Sequence, residues 1–258
     1  MLLALDIGNT STVLGIFDKG NLKGFYRVSS RTSLTEDEAG ALLKQLFGYE
    51  TLKQIKGIII CSVVPSLTST YQETSRKYLQ QKPLLVSSNL KLGMRIRYKD
   101  PSQVGADRIA NAIAAKKLYR LPAIIVDLGT ATTFDVISAR GEYLGGAIAP
   151  GIETSSADLF KRGAQLFKVG LEKPPRAIGR TTQESLQSGI ILGAAGQIDF
   201  LVREIQKEVG KKCTVAATGG CASLVWKVSK TIHRIDLSLT LKGLYYIYSV
   251  LRGKKALD

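Results

Sequence analysis

Asp6-Ile7-Gly8-Asn9-Thr10 follows the apolar run Leu2 to Leu5, and a second apolar run extends from Val13 to Phe17. The pattern reads as strand, tight polar turn, strand. Gly8 lets the backbone turn sharply and come close to a ligand with no Cβ in the way. Asn9, Thr10, Ser11 and Thr12 offer amide and hydroxyl donors around the turn, and Asp6 sets a carboxylate at the strand's end. Donors grouped around a carboxylate make a place for phosphate oxygens and a hard cation. In isolation the segment reads equally well as a plain β-hairpin with a polar tip.

The chain repeats the pattern. Leu3–Gly24 slides without a gap onto Ile124–Gly145, so that Asp6 falls on Asp127, Gly8 on Gly129 and Thr12 on Thr133. Ile16 falls on Ile137, Gly20 on Gly141 and Gly24 on Gly145. Two units with matching carboxylate and glycine point to an internally duplicated fold. Two such loops facing each other would hold a polyphosphate from both sides.

Composition narrows the class. The 258 residues are 45% hydrophobic and 22% charged, ordinary for a globular chain of one large or two moderate domains. No run approaches the ~18 apolar residues of a membrane span. Asp6 interrupts the apolar start and no basic region precedes it, which argues against a signal peptide. Cys61, Cys213 and Cys221 are widely spread, odd in number and without zinc-ligand spacing, so a cytoplasmic location is expected. The net charge of +15 is high. It admits steering of anionic substrates, nucleic-acid binding or a general surface property. Basic residues are scattered, with brief clusters at Lys211-Lys212 and Lys254-Lys255 and a basic–aromatic patch at Arg95, Arg97, Tyr98 and Lys99. The absence of any nucleic-acid-binding signature argues against a nucleic-acid partner.

Along the chain, strands are expected at Leu2–Asp6, Thr12–Phe17 and Leu22–Val28. Ser33-Leu34-Thr35-Glu36 has the form of a capping box, opening a helix with Ala39, Leu42, Leu43 and Leu46 on one face. Gly57–Val64 reads as a buried parallel strand, followed by a helix to about Leu79 and a short strand at Pro83–Val86. Leu90–Val104 looks irregular, and a helix runs from Ala106 to about Leu118. A hinge near Tyr119–Pro122 divides the chain into halves, 1–119 and 120–258. The second half repeats the meander over Ala123–Val126, Thr132–Ile137 and Glu142–Ile148. A helix starts near Ile152, Arg162–Ala177 is a loop, and Thr182 caps a long helix Gln183–Val209. Thr214–Ala217 delivers Thr218-Gly219-Gly220, and Leu239–Leu251 closes the chain as a helix.

The chemistry follows by elimination. His233 stands alone and far from every Gly-rich loop, and neither a P-loop nor a nucleophile elbow exists. Cys221 has no basic partner near it in sequence. Carboxylates and phosphate-binding loops remain, the equipment for phosphoryl transfer to a hydroxyl. Asp107, at the start of a helix whose N–H groups favour its ionised form, is the candidate base. Its alternative is a simple charge pair with Arg108 at a helix N-terminus.

Asp-x-Gly-Asn-Thr, Asp-Leu-Gly-Thr-x-Thr and Thr-Gly-Gly, in that order, resemble the acetate and sugar kinase/Hsp70/actin superfamily. With Gly105-Ala106-Asp107-Arg108, Gly145-Gly146-Ala147-Ile148-x-Pro150-Gly151 and Leu239-Thr240-Leu241-x-Gly243-Leu244, the chain resembles the type III pantothenate kinases over its whole length. The resemblance implies an α/β fold, the duplicated ribonuclease-H-like (actin-like ATPase) fold, each half with a mixed five-stranded sheet and helices. It implies ATP-dependent phosphorylation of pantothenate with Asp107 as proton acceptor. ATP would be bound between the halves by Asp6, Ile7, Gly8, Asn9, Thr10, Ser11, Thr12 and Val13, with Thr130, Gly219 and Gly220. Asp6 would order Mg²⁺, directly or through water, and Asp127 would hold a monovalent cation, potassium or ammonium. Tyr98, Gly105, Ala106, Asp107, Arg108 and Thr182 would bind pantothenate at a homodimer interface. Thr181, where the family pattern has a single threonine, leaves open which hydroxyl faces the substrate. Rival readings are another small-molecule kinase of the superfamily, or a non-catalytic DNA-binding regulator on the same scaffold.

Overall fold

The computed structural model describes residues 1–252; the Lys254-Lys255 pair lies outside them. β1 (Leu2–Ile7), β2 (Ser11–Asp18) and β3 (Asn21–Ser29) form the first antiparallel meander. Lys19 and Gly20 both take positive φ, 47° and 86°, as a two-residue hairpin turn matched to strand twist requires. α1 (Glu36–Phe47) begins two residues later than expected. Its capping box uses Thr35 and Glu38, not Ser33 and Glu36: Glu38 N donates to Thr35 Oγ1 at 3.3 Å and Thr35 N donates to Glu38 Oε2 at 2.9 Å. Leu34 is buried ahead of the cap, which shifts the start past it.

α2 (Tyr49–Lys53) is a short helix that sequence periodicity missed. β4 (Gly57–Ser62) lies parallel to β1, α3 (Pro65–Leu79) follows, and β5 (Leu84–Leu85) completes a five-stranded sheet in the order β3-β2-β1-β4-β5. Leu3, Leu5 and Ile7 on one face of β1 pack with Leu14, Leu43, Leu67 and Tyr71. The opposite face of the sheet belongs to other helices. α4 (Ala106–Leu118) runs as expected.

The second meander, β6 (Ala123–Leu128), β7 (Ala131–Ile137) and β8 (Tyr143–Pro150), precedes α5 (Ile152–Arg162) and α6 (Thr182–Val209). β9 (Thr214–Thr218), α7 (Ala222–Val225) and β10 (Arg234–Ile235) follow. The sheet order is β10-β9-β6-β7-β8, the order of the first sheet with each strand replaced by its counterpart. β10 and α7 are too short to carry a periodic signal. Arg95–Arg97, read as irregular, runs along edge strand β8: Tyr143 N donates to Arg95 O at 2.9 Å and Arg97 N to Tyr143 O at 2.8 Å. α8 (Leu239–Arg252), which the sequence reading assigns to the second half, packs on β1, β2 and β4. The compact units are therefore discontinuous in sequence: Met1–Met94, Tyr98–Lys117 and the chain from Ser238 in one, Arg95–Arg97 and Leu118–Leu237 in the other.

α6 is long and apolar enough, by length and composition, to cross a membrane, although polar residues interrupt it and no continuous apolar run of that length exists. Its Ala195, Ile198 and Val202 are instead buried against Val215 and Val225 in the second core, and it carries Asp199 at 6% exposure.

The gapless sequence match between the halves conceals two compensating differences. Gly8 N donates to Ser11 O, but Gly129 N donates to Ala131 O, both at 3.1 Å, so the second turn is one residue shorter. Ile7 pairs with Thr12 and Leu128 with Thr132, which makes Thr132, not Thr133, the structural counterpart of Thr12. Both counterparts are buried, at 1% and 2% exposure. The residue is regained at the next turn: Asp18 pairs with Asn21, whereas Ser138 N donates to Glu142 O across a loop one residue longer.

Candidate active site

Asp6 closes β1 on the sheet face of Ala4, because side chains two apart share a face. Ala4 pairs with Gly15, and a Cβ on Gly15 would meet Leu241 of α8 at 2.7 Å. α8 in turn touches α4, with Thr240 Oγ1 donating to Asn111 Oδ1 at 2.9 Å. Asp6 and α4 thus lie on the same side of the first sheet, opposite α1 and α3. The half-buried Asp107 sits in the first turn of α4, where its Oδ1 accepts from Arg108 N at 2.8 Å. Arg108 itself is buried, at 5% exposure. Gly105 and Ala106 form the start of that helix, with Ile109 N donating to Gly105 O at 3.1 Å.

The turn after β1 leaves Asn9 and Thr10 exposed, with Gly8 and Ser11 half-buried and Ile7 and Val13 in the sheet. Gly8 is not in the left-handed region; it is confined by space, since a Cβ there would approach Ser11 O to 3.1 Å. The end of β3 backs this turn. Ser30 N donates to Thr10 O at 3.0 Å, and Ser30 Oγ donates to Gly8 O at 2.7 Å and lies 2.9 Å from Thr12 Oγ1. Arg27 Nη1 donates to Ser11 Oγ at 2.7 Å.

In the second unit Asp127 is half-buried at the end of β6, opposite Thr218 of β9. Gly219 follows with φ +92°, and a Cβ on it would fall 2.5 Å from Asp127 Oδ1 and 2.7 Å from Leu128 N. Glycine is therefore required twice over, by dihedral and by space. Cys221 N then donates to Leu128 O at 3.2 Å, which folds the Gly219-Gly220 turn over Asp127. On the other side Gly151 N donates to Thr130 O at 3.2 Å and Thr154 Oγ1 donates to the same oxygen at 2.8 Å. A Cβ on Gly151 would sit 2.3 Å from that oxygen. A Cβ on Gly129 would meet no described atom closer than 3.7 Å, so nothing within the unit's own packing demands glycine there.

Tyr98 is half-buried in the first unit and Thr182 exposed in the second. Thr182 is the first residue of α6 rather than its cap: Thr181 caps the helix, its Oγ1 accepting from Glu184 N at 3.1 Å. The Thr181 hydroxyl is thereby engaged. His233 Nδ1 accepts from Val215 N at 3.2 Å, a satisfied neighbour of β9. Cys221 is buried. Among the described residues no three His, Cys, Asp or Glu gather as a metal cage.

The sequence reading missed Ser30, Thr154 and the close approach of Gly151. Carrying the repeat six residues past Gly24 would have aligned Ser30 with Gly151, both of which donate their N–H to the turn ahead of them.

The profile of the type III pantothenate kinase family matches residues 2–204. The chain is 49% identical over 250 residues to the type III pantothenate kinase of Moorella thermoacetica, covering 96% of this chain and 98% of that one. Its fold is similar to that of a conserved putative Baf family transcriptional activator from Campylobacter jejuni, with TM-score 0.61 at 20% identity over 97% of this chain and 98% of that one. It is also similar to the activator of the 2-hydroxyisocaproyl-CoA dehydratase from Clostridium difficile, solved with bound ADPNP, with TM-score 0.57 at 13% identity over 100% and 98% of the two chains.

Proposed function

The chain belongs to the type III pantothenate kinase family, and from that premise we propose how its own residues phosphorylate pantothenate with ATP to give 4′-phosphopantothenate, at the entry to coenzyme A biosynthesis. The carrying observation is the duplicated carboxylate turn, built once around Asp6 and again around Asp127, with Asp107 at the start of α4 on the Asp6 side of the first sheet. Asp107 accepts the proton of the primary alcohol as its oxygen attacks the γ-phosphorus. The new P–O bond forms as the bond to the β,γ-bridging oxygen breaks, and ADP leaves. Asp107 starts a helix, where the N–H dipoles favour the carboxylate form that a base needs.

Gly8 to Val13 line the phosphates, and Thr130, Gly219 and Gly220 contact the nucleotide. One half-buried carboxylate flanked by hydroxyls, with no protein cage, fits Mg²⁺, which keeps waters and takes few protein ligands. Asp6 would hold that ion, whose charge offsets that of the phosphates when it is bound. Asp127, tucked beneath the Gly219 turn, fits a monovalent cation of the potassium or ammonium kind. Arg108 and Tyr98 would orient the pantothenate carboxylate and chain. The engagement of Thr181 in capping favours Thr182 as the substrate hydroxyl.

A homodimer accords with the surface of α5 and α6. Gly189, Gly193, Ile152 and Leu159 line a groove of about 250 Å³ there, and Phe200 is 58% exposed. The working compartment is the cytoplasm.

The test is ATP-dependent phosphorylation of pantothenate with potassium, ammonium or sodium as the sole monovalent cation. Turnover with potassium or ammonium and little with sodium supports both the reaction and the cation site. No turnover under any cation, from folded protein that binds ATP, overturns the assignment in favour of another acceptor alcohol.

A further inference from the structure

We infer that Ser30, at the end of β3, is a positioning residue for the first nucleotide turn, its hydroxyl aiming the Asn9 and Ser11 amides at the phosphates. The inference rests on the phosphate-binding role of that turn proposed above.

Two carbonyls of the turn are held from the same side. Ser30 Oγ donates to Gly8 O at 2.7 Å, and Ser30 N donates to Thr10 O at 3.0 Å. The only cis peptide among the described residues is Leu121-Pro122, so both peptides here are trans. In a planar trans peptide the N–H points opposite the C=O. Holding Gly8 O back on Ser30 therefore turns Asn9 N–H away from β3. Holding Thr10 O does the same to Ser11 N–H. Two backbone amides aimed one way present donors to an anion. A two-residue hairpin would ordinarily spend Ser11 N–H on Gly8 O. Here Ser30 Oγ occupies that oxygen, and Ser11 N forms no turn bond to Gly8 O.

The hydroxyl is itself fixed. Thr12 Oγ1, at 1% exposure, lies 2.9 Å from Ser30 Oγ, so the Ser30 oxygen is oriented by a buried neighbour and not left to rotate in solvent. Arg27, two positions along the same strand face as Ser29, adds a cation beside the turn by donating to Ser11 Oγ. The second half reaches a related result with different residues. Gly151 N takes the place of Ser30 N on Thr130 O, and Thr154 Oγ1 supplies the hydroxyl. A hydroxyl staple on a turn carbonyl thus recurs at both turns, although the two turns differ in length by one residue.

The experiment compares wild type, Ser30→Ala and Ser30→Thr by steady-state kinetics, thermal melting and calorimetric binding of a non-hydrolysable ATP analogue with Mg²⁺. Ser30→Ala is expected to raise KM for ATP and weaken analogue binding about 5- to 20-fold, the loss of one oriented hydrogen-bonding group. KM for pantothenate is expected to stay within about twofold, and Ser30→Thr to restore nucleotide binding. Equal weakening for both substrates in step with a large fall in melting temperature, or unchanged analogue binding in Ser30→Ala, overturns the inference. If wild-type protein binds the analogue but does not phosphorylate pantothenate, the acceptor assignment falls. The calorimetric comparison then still decides the role of Ser30.

Discussion

At the residue scale, the sharpest constraint falls on Gly219. An added Cβ meets Asp127 Oδ1 at 2.5 Å and backbone atoms of Leu128 at 2.7 Å, in a conformation that L side chains avoid. The Leu128 atoms are backbone and cannot swing aside. Gly219→Ala is expected to cost about 2–4 kcal/mol of stability and to weaken ATP binding, checked by denaturant unfolding and nucleotide titration. Gly129→Ala has nothing nearer than 3.7 Å and is expected to leave stability within about 1 kcal/mol while weakening nucleotide binding. That contrast would set a glycine that the fold needs against one that only a ligand could need. Asp107→Asn keeps shape and removes the proposed base. It is expected to lower kcat by about 10²- to 10⁴-fold with ATP binding retained. The carboxylates and glycines of these turns were legible in the sequence because both chemistry and backbone demand specific residue types. Ser30 and Thr154 were not, because a hydroxyl that staples a carbonyl looks in sequence like any polar residue at a strand end.

At the scale of the element, long periodic segments were legible and short ones were not. α4, α3 and the core strands announced themselves by continuous or periodic burial, whereas β10, with two residues, has no period to read. Caps were misplaced by one or two residues, at Thr35 and Thr181, because several hydroxyl residues crowd each helix start. Thr181→Ala is expected to cost about 1 kcal/mol. The most consequential polar anchor of α6 is Asp199. Its carboxylate accepts from Ser229 Oγ at 2.7 Å, Thr231 Oγ1 at 2.8 Å, Lys230 N at 2.9 Å and Thr231 N at 3.1 Å. Burial by itself would raise its pKa, but these donors outweigh burial and hold it below the ordinary 3.8. A depressed carboxylate contributes stability that is full above its unfolded pKa and lost as pH falls through the folded one. Asp199→Asn is expected to cost about 2–3 kcal/mol at neutral pH, and to cost progressively less as pH falls below about 4. Urea melts of both proteins from pH 7 to pH 2.5 check this; a constant difference across that range would contradict it.

For the whole molecule, duplication was legible and its termination was not. Matching turns 121 residues apart betrayed two halves, with Asp6 on Asp127, but sequence order gives no hint that the last helix returns to the first sheet. The reason lies in what that sheet must cover. β1, β2 and β4 present a second apolar face, including Leu2, Ala4 and Phe17, and α8 packs against these three strands. Leu241, Leu244 and Ile247 are each at most 1% exposed, and Tyr245 stacks on Phe17 with ring centroids 5.0 Å apart. At about 1.5–3 kcal/mol per buried aliphatic side chain, those three alone contribute about 5–9 kcal/mol, comparable to the net stability of a domain. A chain ending at Leu237 should therefore fail to fold its first unit, while the second retains the core of Ile124, Val126, Ile198 and Val215. The single tryptophan makes the two outcomes separable, because Trp226 lies in the second unit. The truncated chain is expected to lose roughly half its far-ultraviolet circular dichroism. The cooperative transition in Trp226 fluorescence should persist. Loss of both signals together would mean that neither unit stands without α8, and retention of both would mean that the helix covers a face the first unit can expose.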